Sequence, residues 1–287
     1  MLPDPVERAV KEIARDRTSG AFPLALRVLE AYQTLDSPSL TSETADELHR
    51  RIARVQPWMV AVRNTSLLGR KLVIEGRGPA IASLRQRLLT ARTEVARRAE
   101  EAIKDAKTVL TLSYSTDVLE ALRRHEKSDG LQVYVCESRP LREGVQLVAD
   151  LREGGVAATL VADAAGPTLV DRVDVVVTGA DSLLRGGSLV NKIGTLSLAL
   201  ACREFDVPFL PLLEGLKVEL EGEELAWEEE KRDPAELSSR VEALNFYFEE
   251  VPPGLLDVLV SDVGSQSVGE LIQRFRTLEE LAVFYLE

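Results

Sequence analysis

The stretch that decides the fold covers residues 173–214 and reads VDVVVTGADSLLRGGSLVNKIGTLSLALACREFDVPFLPLLE. Its first part, residues 173–178, is a short and mostly β-branched apolar run, which predicts a strand buried on both faces. The apolar run at residues 196–202 predicts a helix, and residues 207–213 predict a second buried strand. The stretch is therefore one β-α-β unit, from which parallel sheets are built.

The loops of this unit carry residue types that bind anions. Asp181 follows the first strand, and Asn191-Lys192-Ile193-Gly194-Thr195 opens the helical run. Open α/β sheets bind ligands past the carboxyl ends of their strands, and N–H groups at a helix start attract phosphate. Taken singly, Asp181 fits a turn, Asn191 a helix cap and Lys192 a solvated side chain. Their presence in one crossover favours an anion site.

Composition narrows the class of protein. The 287 residues are 45% hydrophobic and 29% charged, so a folded core is expected. The formal net charge of −12 disfavours direct nucleic-acid binding. Cys136 and Cys202 each lie inside an apolar run, which indicates buried thiols in a reducing compartment.

Targeting and cofactor signals are missing from the sequence. Residues 1–19 lack the apolar core of a signal peptide, and no apolar run reaches the length of a membrane span. A cytoplasmic protein without membrane contact is therefore expected. No cluster has metal-ligand spacing and no dinucleotide or nucleotide loop motif is present, so no metal and no cofactor are expected.

The hydrophobic period changes near residue 107, and this change predicts two domains. Residues 1–106 show helical spacing and predict an N-terminal helical domain. In residues 107–287 short apolar strands alternate with helices, which predicts a Rossmann-like α/β domain with a doubly wound parallel sheet. The further strands predicted there are residues 108–113, 131–136 and 156–161. The acidic residues 219–236 predict a surface excursion.

Other loops are expected to face the same crevice. Ser113 and Ser115 follow the first strand, where their hydroxyls suit an anion and helix capping is an equally good interpretation. Arg139 follows the second strand and suits a phosphate, although an ion pair at a subunit interface is favoured. Asp163 follows the third strand, where a turn or cap is favoured. Lys217 adds a positive charge to the crevice, whereas a lone lysine is more often solvated.

Together these loops resemble the family of initiation factor 2B alpha, beta and delta regulatory subunits. Ribose-1,5-bisphosphate isomerase and methylthioribose-1-phosphate isomerase are relatives in the same family. The residues that carry the resemblance are Gly179-Ala180-Asp181, Asn191-Lys192-Ile193-Gly194-Thr195, Val207-Pro208-Phe209, Glu137-Ser138-Arg139-Pro140 and residues 245–253, with a weaker match at residues 16–21. The resemblance implies a helical domain, a Rossmann-like domain, and a dimer formed by pairs of α/β domains.

The isomerases of this family imply an active-site cysteine after the first strand, in a Thr-His-Cys context, that works with the aspartate of the Gly-Ala-Asp motif. Here the histidine position is Leu112 and the cysteine position is Ser113, while Asp181 keeps the aspartate. A serine hydroxyl is a far weaker acid than a thiol, so Asp181 supplies only half of the acid–base pair that isomerisation needs. Glu143 stands where the family usually has glutamine, and Glu249 where it usually has aspartate.

One ligand site is predicted from these loops. The catalytic candidates are Asp181, if the protein is an isomerase, and Ser113 at the position of the family cysteine. The predicted ligand-binding residues are Gly20, Ala21, Arg63, Ser113, Ser115, Arg139, Gly179, Asp181, Asn191, Lys192 and Lys217.

We predict that the chain is an initiation-factor-2B-subunit-like protein that binds a sugar phosphate or a nucleotide phosphate without isomerase activity. The alternative is a phosphosugar aldose–ketose isomerase that uses Asp181, and a third hypothesis is an assembly role in translation initiation. A homodimer or higher homo-oligomer is expected, because apolar residues between 245 and 256 would otherwise form a large exposed patch.

Overall fold

The computed structural model describes residues 2–16, 20–35, 41–55, 59–223 and 231–287. Its helices are α1 (Asp4–Arg15), α2 (Ala21–Gln33), α3 (Ser42–Val55), α4 (Val60–Ile74), α5 (Ile81–Ala102), α6 (Thr116–Asp129), α7 (Glu143–Glu153), α8 (Gly166–Leu169), α9 (Thr195–Phe205), α10 (Val268–Arg274) and α11 (Leu278–Leu286). Its strands are β1 (Thr108–Leu112), β2 (Gln132–Cys136), β3 (Ala157–Val161), β4 (Val175–Gly179), β5 (Ser182–Leu183), β6 (Leu189–Lys192), β7 (Phe209–Leu213), β8 (Phe248–Val251), β9 (Leu259–Ser261) and β10 (Gly264–Gln266).

The N-terminal part is helical, as its periodicity predicts. In α1 the residues Val6, Val10 and Ile13 share one face and are buried, which is the spacing of an amphipathic helix. The sequence of α4 shows a mixed pattern because this helix is enclosed on several sides. It packs against α2 and α3, and its buried Asn64 donates to the carbonyls of Leu216 and Val218 at 2.8 and 2.9 Å. That amide joins the helical part to the loop after β7.

The main sheet has seven strands in the order β10-β9-β7-β4-β1-β2-β3, and only β10 runs antiparallel to its neighbour. The predicted doubly wound α/β fold is confirmed. Successive strands proceed outward from β1 in one direction through β3 and in the other from β4 through β9. The order therefore reverses between β1 and β4, where folds of this kind leave a crevice for a ligand.

A small antiparallel sheet of β5, β6 and β8 lies beside this crevice. The prediction that Asn191 and Lys192 begin a helix is wrong, because both residues belong to β6. Asn191 pairs in register with Glu249, and Lys192 pairs with Phe248. Helix α9 begins only at Thr195. The partner strand β8 is distant in sequence, so local pattern alone does not reveal this pairing.

The chain ends on a helix that was not predicted. Helix α11 packs against α4 and α5, with Tyr285 buried and Lys71 bound to Glu279 at 2.9 Å. Its start has a capping box, in which Thr277 and Glu280 exchange hydrogen bonds with each other's backbone. The C-terminal segment thus covers the helical part of the molecule.

The acidic excursion begins later than its sequence suggests. Glu219 and Leu220 are buried, and the Glu219 carboxylate accepts the N–H of Arg185 at 2.8 Å. Residues 224–230 of the excursion and residues 17–19 of the weak family match lie outside the described residues. Within the described ranges, no helix combines the length and apolar character needed to cross a bilayer.

Candidate functional site

A cavity of about 420 Å³ lies between the N-terminal helices and the carboxyl edge of the main sheet. Its lining residues come from the helical part, from the loops after β1 and β4, and from the small sheet. They are Asp16, Gly20, Ala21, Phe22, Pro23, Met59, Arg92, Leu112, Ser113, Tyr114, Ser115, Thr116, Asp117, Leu141, Glu143, Gln146, Gly179, Ala180, Asp181, Asn191, Lys192, Lys217, Arg232, Tyr247 and Phe248. The cavity therefore occupies the point at which the strand order reverses.

The ends of β1 and β4 approach each other closely beneath the cavity. Ser113 has a left-handed backbone with φ of 62°, which is uncommon for a residue other than glycine. Its N–H donates to Ser138 Oγ at 2.6 Å, which holds the loop after β1 in place. A Cβ atom at Gly179 would lie 2.8 Å from both Cβ and Oγ of Ser115. Glycine at this position allows the two strand ends to meet.

One amide group, of Asn191, and one ammonium group, of Lys192, enter the cavity from the small sheet. Asn191 Nδ2 donates to Thr195 Oγ1 at 3.0 Å, so its side chain is fixed against the start of α9. Lys192 is 3% exposed, and its Nζ lies 2.8 Å from Glu143 Oε1. The same ammonium lies 5.0 Å from the ring centroid of Tyr247, within the range of a cation–π contact.

Lys217 is buried among carboxylates at the base of the cavity. Its Nζ lies 2.8 Å from Glu214 Oε2 and 3.7 Å from Asp117 Oδ2. Burial by itself lowers the pKa of Lys217, but the charges of Glu214 and Asp117 outweigh that effect and raise it. Lys217 is therefore a permanent cation, and the interpretation as a solvated lysine is wrong.

Two cavity carboxyls have raised pKa values. Burial raises the pKa of Asp181 to about 6, against the opposing charges of Lys217 and Lys192. Burial and the nearby charge of Glu214 raise the pKa of Asp117 to about 7. Both carboxyls are therefore able to hold a proton close to neutral pH, which is the property required of a general acid or base.

The N-terminus of α9 is already occupied by a side chain of the protein. Glu249 Oε1 accepts the N–H of Gly194 at 2.7 Å and the N–H of Leu196 at 2.8 Å. The sequence predicted a phosphate at this helix start, and the Glu249 carboxylate takes that place instead. The first turn of α6, with Ser115, Thr116 and Asp117, lines the cavity, as do the first residues of α2 and α7.

Nine of the eleven predicted ligand-binding residues line this one cavity. Arg63 and Arg139 are the two that do not. Arg63 forms an ion pair with Glu223, so its guanidinium joins α4 to the acidic excursion. Arg139 is exposed, and its backbone N–H donates to Asp163 at 2.8 Å. That contact and the one from Ser138 N–H, at 2.7 Å, bear out the interpretation of Asp163 as a turn residue.

Sequence reasoning missed several lining residues with charged or aromatic side chains. Arg92 was not among the predicted site residues, yet its Nε lies 3.3 Å from Asp117 and its guanidinium lies over the Phe22 ring. Glu143 was noted only as a departure from the family pattern. Tyr247 lies between two cations, with Arg232 4.8 Å from its ring centroid. For Tyr247, the available signal was that residues 245–253 carry part of the family resemblance.

Neither cysteine lines the cavity. Cys136 and Cys202 are buried, and burial raises the pKa of each thiol to about 12. Such thiols are poor nucleophiles near neutral pH. Among the described lining residues there is neither a cysteine nor a histidine.

The strand order and the cavity at its switch point define a doubly wound α/β protein with a small-molecule site. Residues 23–267 match the initiation factor 2 subunit family, and the chain belongs to that family. The resemblance carried by the loops is thereby confirmed.

Two curated relatives illustrate the range of this family. The chain is 36% identical over 186 residues to ribose 1,5-bisphosphate isomerase of Archaeoglobus fulgidus. The aligned residues cover 61% of this chain and 59% of that enzyme. It is 32% identical over 225 residues to an eIF-2B subunit 2-like protein of Pyrococcus horikoshii. Here the aligned residues cover 76% of this chain and 80% of that protein. The family likeness thus extends to relatives with an enzymatic name and to relatives with a regulatory one.

A solved structure of translation initiation factor eIF-2B from Pyrococcus horikoshii OT3 shares the fold over most of the molecule. The TM-score is 0.82 at 27% identity, with 93% of this chain and 98% of that chain covered. The helical part and the α/β part therefore both follow an arrangement seen in the family.

Proposed function

We propose that this chain binds a phosphorylated small molecule, either a sugar phosphate or a nucleotide phosphate, in the switch-point cavity, and that it is a binding protein without efficient isomerase activity. The observation that carries the proposal is the lining of the cavity. It combines the cations Lys192 and Lys217 with the amide of Asn191, while no cysteine or histidine is found among its described residues. Such a lining can hold a phosphosugar but has no thiol to act on it.

The first turn of α6 is the favoured position for the phosphate. Ser113, Ser115 and Thr116 present hydroxyl and N–H groups there, at the positive end of the helix dipole. The names of related proteins support a phosphorylated ligand, since both ribose 1,5-bisphosphate isomerase and methylthioribose-1-phosphate isomerase are named for one.

A thermal-shift titration with phosphosugars and nucleotides tests this proposal. A ligand that binds only the folded state stabilises it by about 2.7 kcal/mol at 100 times its Kd, so the melting temperature rises with dose. The rise is expected to be lost in Lys192→Met, because this variant leaves the Glu143 carboxylate unpaired in the cavity, where it repels an anion, and to be retained in Arg139→Met. Arg139 is exposed and lies outside the lining, so its replacement removes an equal charge as a control. No rise with any ligand of the panel contradicts the proposal.

A second candidate function is a phosphosugar aldose–ketose isomerase. The observation in its favour is that Asp181 and Asp117 both line the cavity and have pKa values raised to about 6 and about 7. Two carboxyls that exchange protons near neutral pH can serve as acid and base. NMR of ribose 1,5-bisphosphate incubated with the protein decides between the two functions. Turnover at ordinary enzymatic rates that disappears in Asp181→Asn establishes the isomerase; its absence supports the binding protein.

We further propose a homodimer formed through the α/β part. Between residues 245 and 256 the expected patch is partly covered, since Phe246 and Phe248 are half-buried and Leu256 is buried. Leu200 and Phe205 on α9 supply exposed apolar surface, at 53% and 48% exposure. Light scattering at micromolar concentration is expected to give twice the chain mass, and a monomer mass contradicts this. Co-purification with initiation-factor subunits tests the separate hypothesis of an assembly role.

A further inference from the structure

Basic and acidic side chains balance around the cavity. Its described lining includes four basic residues, Arg92, Lys192, Lys217 and Arg232, and four acidic residues, Asp16, Asp117, Glu143 and Asp181. A phosphate monoester carries about −1.5 to −2 charges at pH 7, so a bisphosphate brings roughly −3 to −4. Even when Asp117 and Asp181 are both protonated, four basic and two acidic residues leave an excess of two positive charges, which is fewer than the negative charges that two such groups bring.

The ammonium of Lys192 is engaged by Glu143. Their ion pair is 2.8 Å long, and Lys192 is almost entirely buried, so water screens the attraction only weakly. Helix α7 begins at Glu143, where the helix dipole favours an ionised carboxylate. A ligand phosphate therefore reaches Lys192 only in competition with Glu143.

The second carboxylate oxygen of Glu143 lacks a hydrogen-bond partner among the described residues. This atom, Glu143 Oε2, is buried. A buried acceptor left unpaired costs about 1–3 kcal/mol, so a ligand that brings a donor gains affinity there. A sugar hydroxyl is such a donor, whereas a phosphate oxygen at the same place is repelled by the carboxylate.

We propose that Glu143 is a specificity-determining residue that makes the cavity prefer a sugar monophosphate to a sugar bisphosphate. This inference rests on the proposed function, because it concerns which phosphorylated ligand the same cavity takes. The phosphate binds at the first turn of α6, and a hydroxyl group of the sugar donates to Glu143 Oε2. Glutamine at this position keeps the shape of the side chain but leaves the charge of Lys192 for a second phosphate.

Two of the other cations, Lys217 and Arg92, do not replace Lys192 in this role. Lys217 is held by Glu214 at 2.8 Å, and Arg92 by Asp117 at 3.3 Å. Both pairs remain intact when Glu143 is changed. Glu143→Gln therefore alters the charge balance of the cavity at a single position.

Isothermal titration calorimetry with ribose 5-phosphate and ribose 1,5-bisphosphate tests the inference. The wild-type protein is expected to bind the monophosphate more tightly. In Glu143→Gln, affinity for the bisphosphate relative to the monophosphate is expected to rise about 10- to 100-fold, the effect of one charge-assisted hydrogen bond. Glu137→Gln is the matched control, because Glu137 pairs with Arg142 at 3.2 Å outside the lining and its replacement removes the same charge. That variant is expected to keep the wild-type ratio.

The outcomes separate this inference from the proposed function. If phosphosugars bind but the ratio is the same in Glu143→Gln as in the wild type, or the wild type prefers the bisphosphate, Glu143 does not set the preference and the binding function stands. If neither ligand binds to either protein, this inference fails, and the proposed function is then decided by the nucleotides of the thermal-shift panel. Thermal melting establishes that the variant is folded, and Glu143→Ala serves as a second variant expected to shift the ratio in the same direction.

Discussion

Replacing Asp181 by asparagine should stabilise the protein at neutral pH. Burial raises the pKa of Asp181 from 3.8 to about 6. Between these two values the folded protein keeps the proton while the unfolded chain releases it, so stability falls as pH rises through this range. The stabilising effect of the raised pKa is thus complete below pH 3.8 and lost above about pH 6. Asparagine remains neutral at every pH in this range, so the stability of Asp181→Asn does not fall in this way.

The size of the effect follows from the shift in pKa. At 1.36 kcal/mol per unit, a rise from 3.8 to about 6 corresponds to about 3 kcal/mol. The free energy of unfolding of Asp181→Asn, relative to the wild type, should therefore increase by about 3 kcal/mol between pH 4 and pH 7. For a chain of this size the melting temperature at pH 7 rises by roughly 6 °C, at about 2 °C per kcal/mol. A substitution that stabilises the protein is typical of a position retained for function.

Urea unfolding measured from pH 4 to pH 8 provides the assay, with Asp174→Asn as a control of opposite sign. Hydrogen bonds from the backbone of Lys107 and from Thr108 lower the pKa of Asp174. Its contribution to stability is therefore present above the ordinary aspartate pKa and lost as pH falls through the lowered value. Asp174→Asn should be less stable than the wild type at pH 7, with the deficit shrinking in acid. Parallel stability curves for Asp181→Asn and the wild type would refute the reasoning.

Two further substitutions test the packing around the site. Gly144→Ala should destabilise the protein by about 1–3 kcal/mol, because its Cβ would lie 1.9 Å from the carbonyl oxygen of Cys136. Gly20→Ala, which has no atom within 4 Å of its Cβ, should unfold like the wild type in the same urea titration. Lys217→Met should cost about 3–5 kcal/mol, because it leaves Glu214 buried without its cation. The double variant Lys217→Met/Glu214→Leu should recover part of that loss, and a single variant as stable as the wild type contradicts the buried ion pair.

The regular alternation of strands and helices could be predicted from the sequence. The runs that became β1, β4 and β7 are almost entirely buried, so most residues in them are apolar. Strand β3 lies at the edge of the sheet, where only Ala158 is buried. The small sheet escaped prediction because β6 pairs with β8, whose segment lies far along the chain. Helix α11 escaped because its apolar residues meet α4 and α5 from the opposite end of the sequence.

Convergence on one cavity was correctly predicted for residues that directly follow strands. Ser113 and Asp181 were located from strand ends alone, since parallel strands deliver their carboxyl ends to one edge. Arg139 was wrongly assigned to the cavity because the backbone after β2 is held by Asp163, and its side chain is exposed. Arg92 was missed because helical spacing shows which residues share a face but not which domain covers that face.

By itself the sequence determined the class of fold, the family and the edge of the sheet at which polar groups gather. These follow from hydrophobic period and from short motifs, which are local properties of the chain. Only the tertiary structure decided how the charges of those groups are paired. Glu143 meets Lys192, and Glu249 takes the start of α9, through contacts between segments far apart in sequence. Charge pairing depends on distance in space, and for such segments that distance is set by the packing of the whole chain.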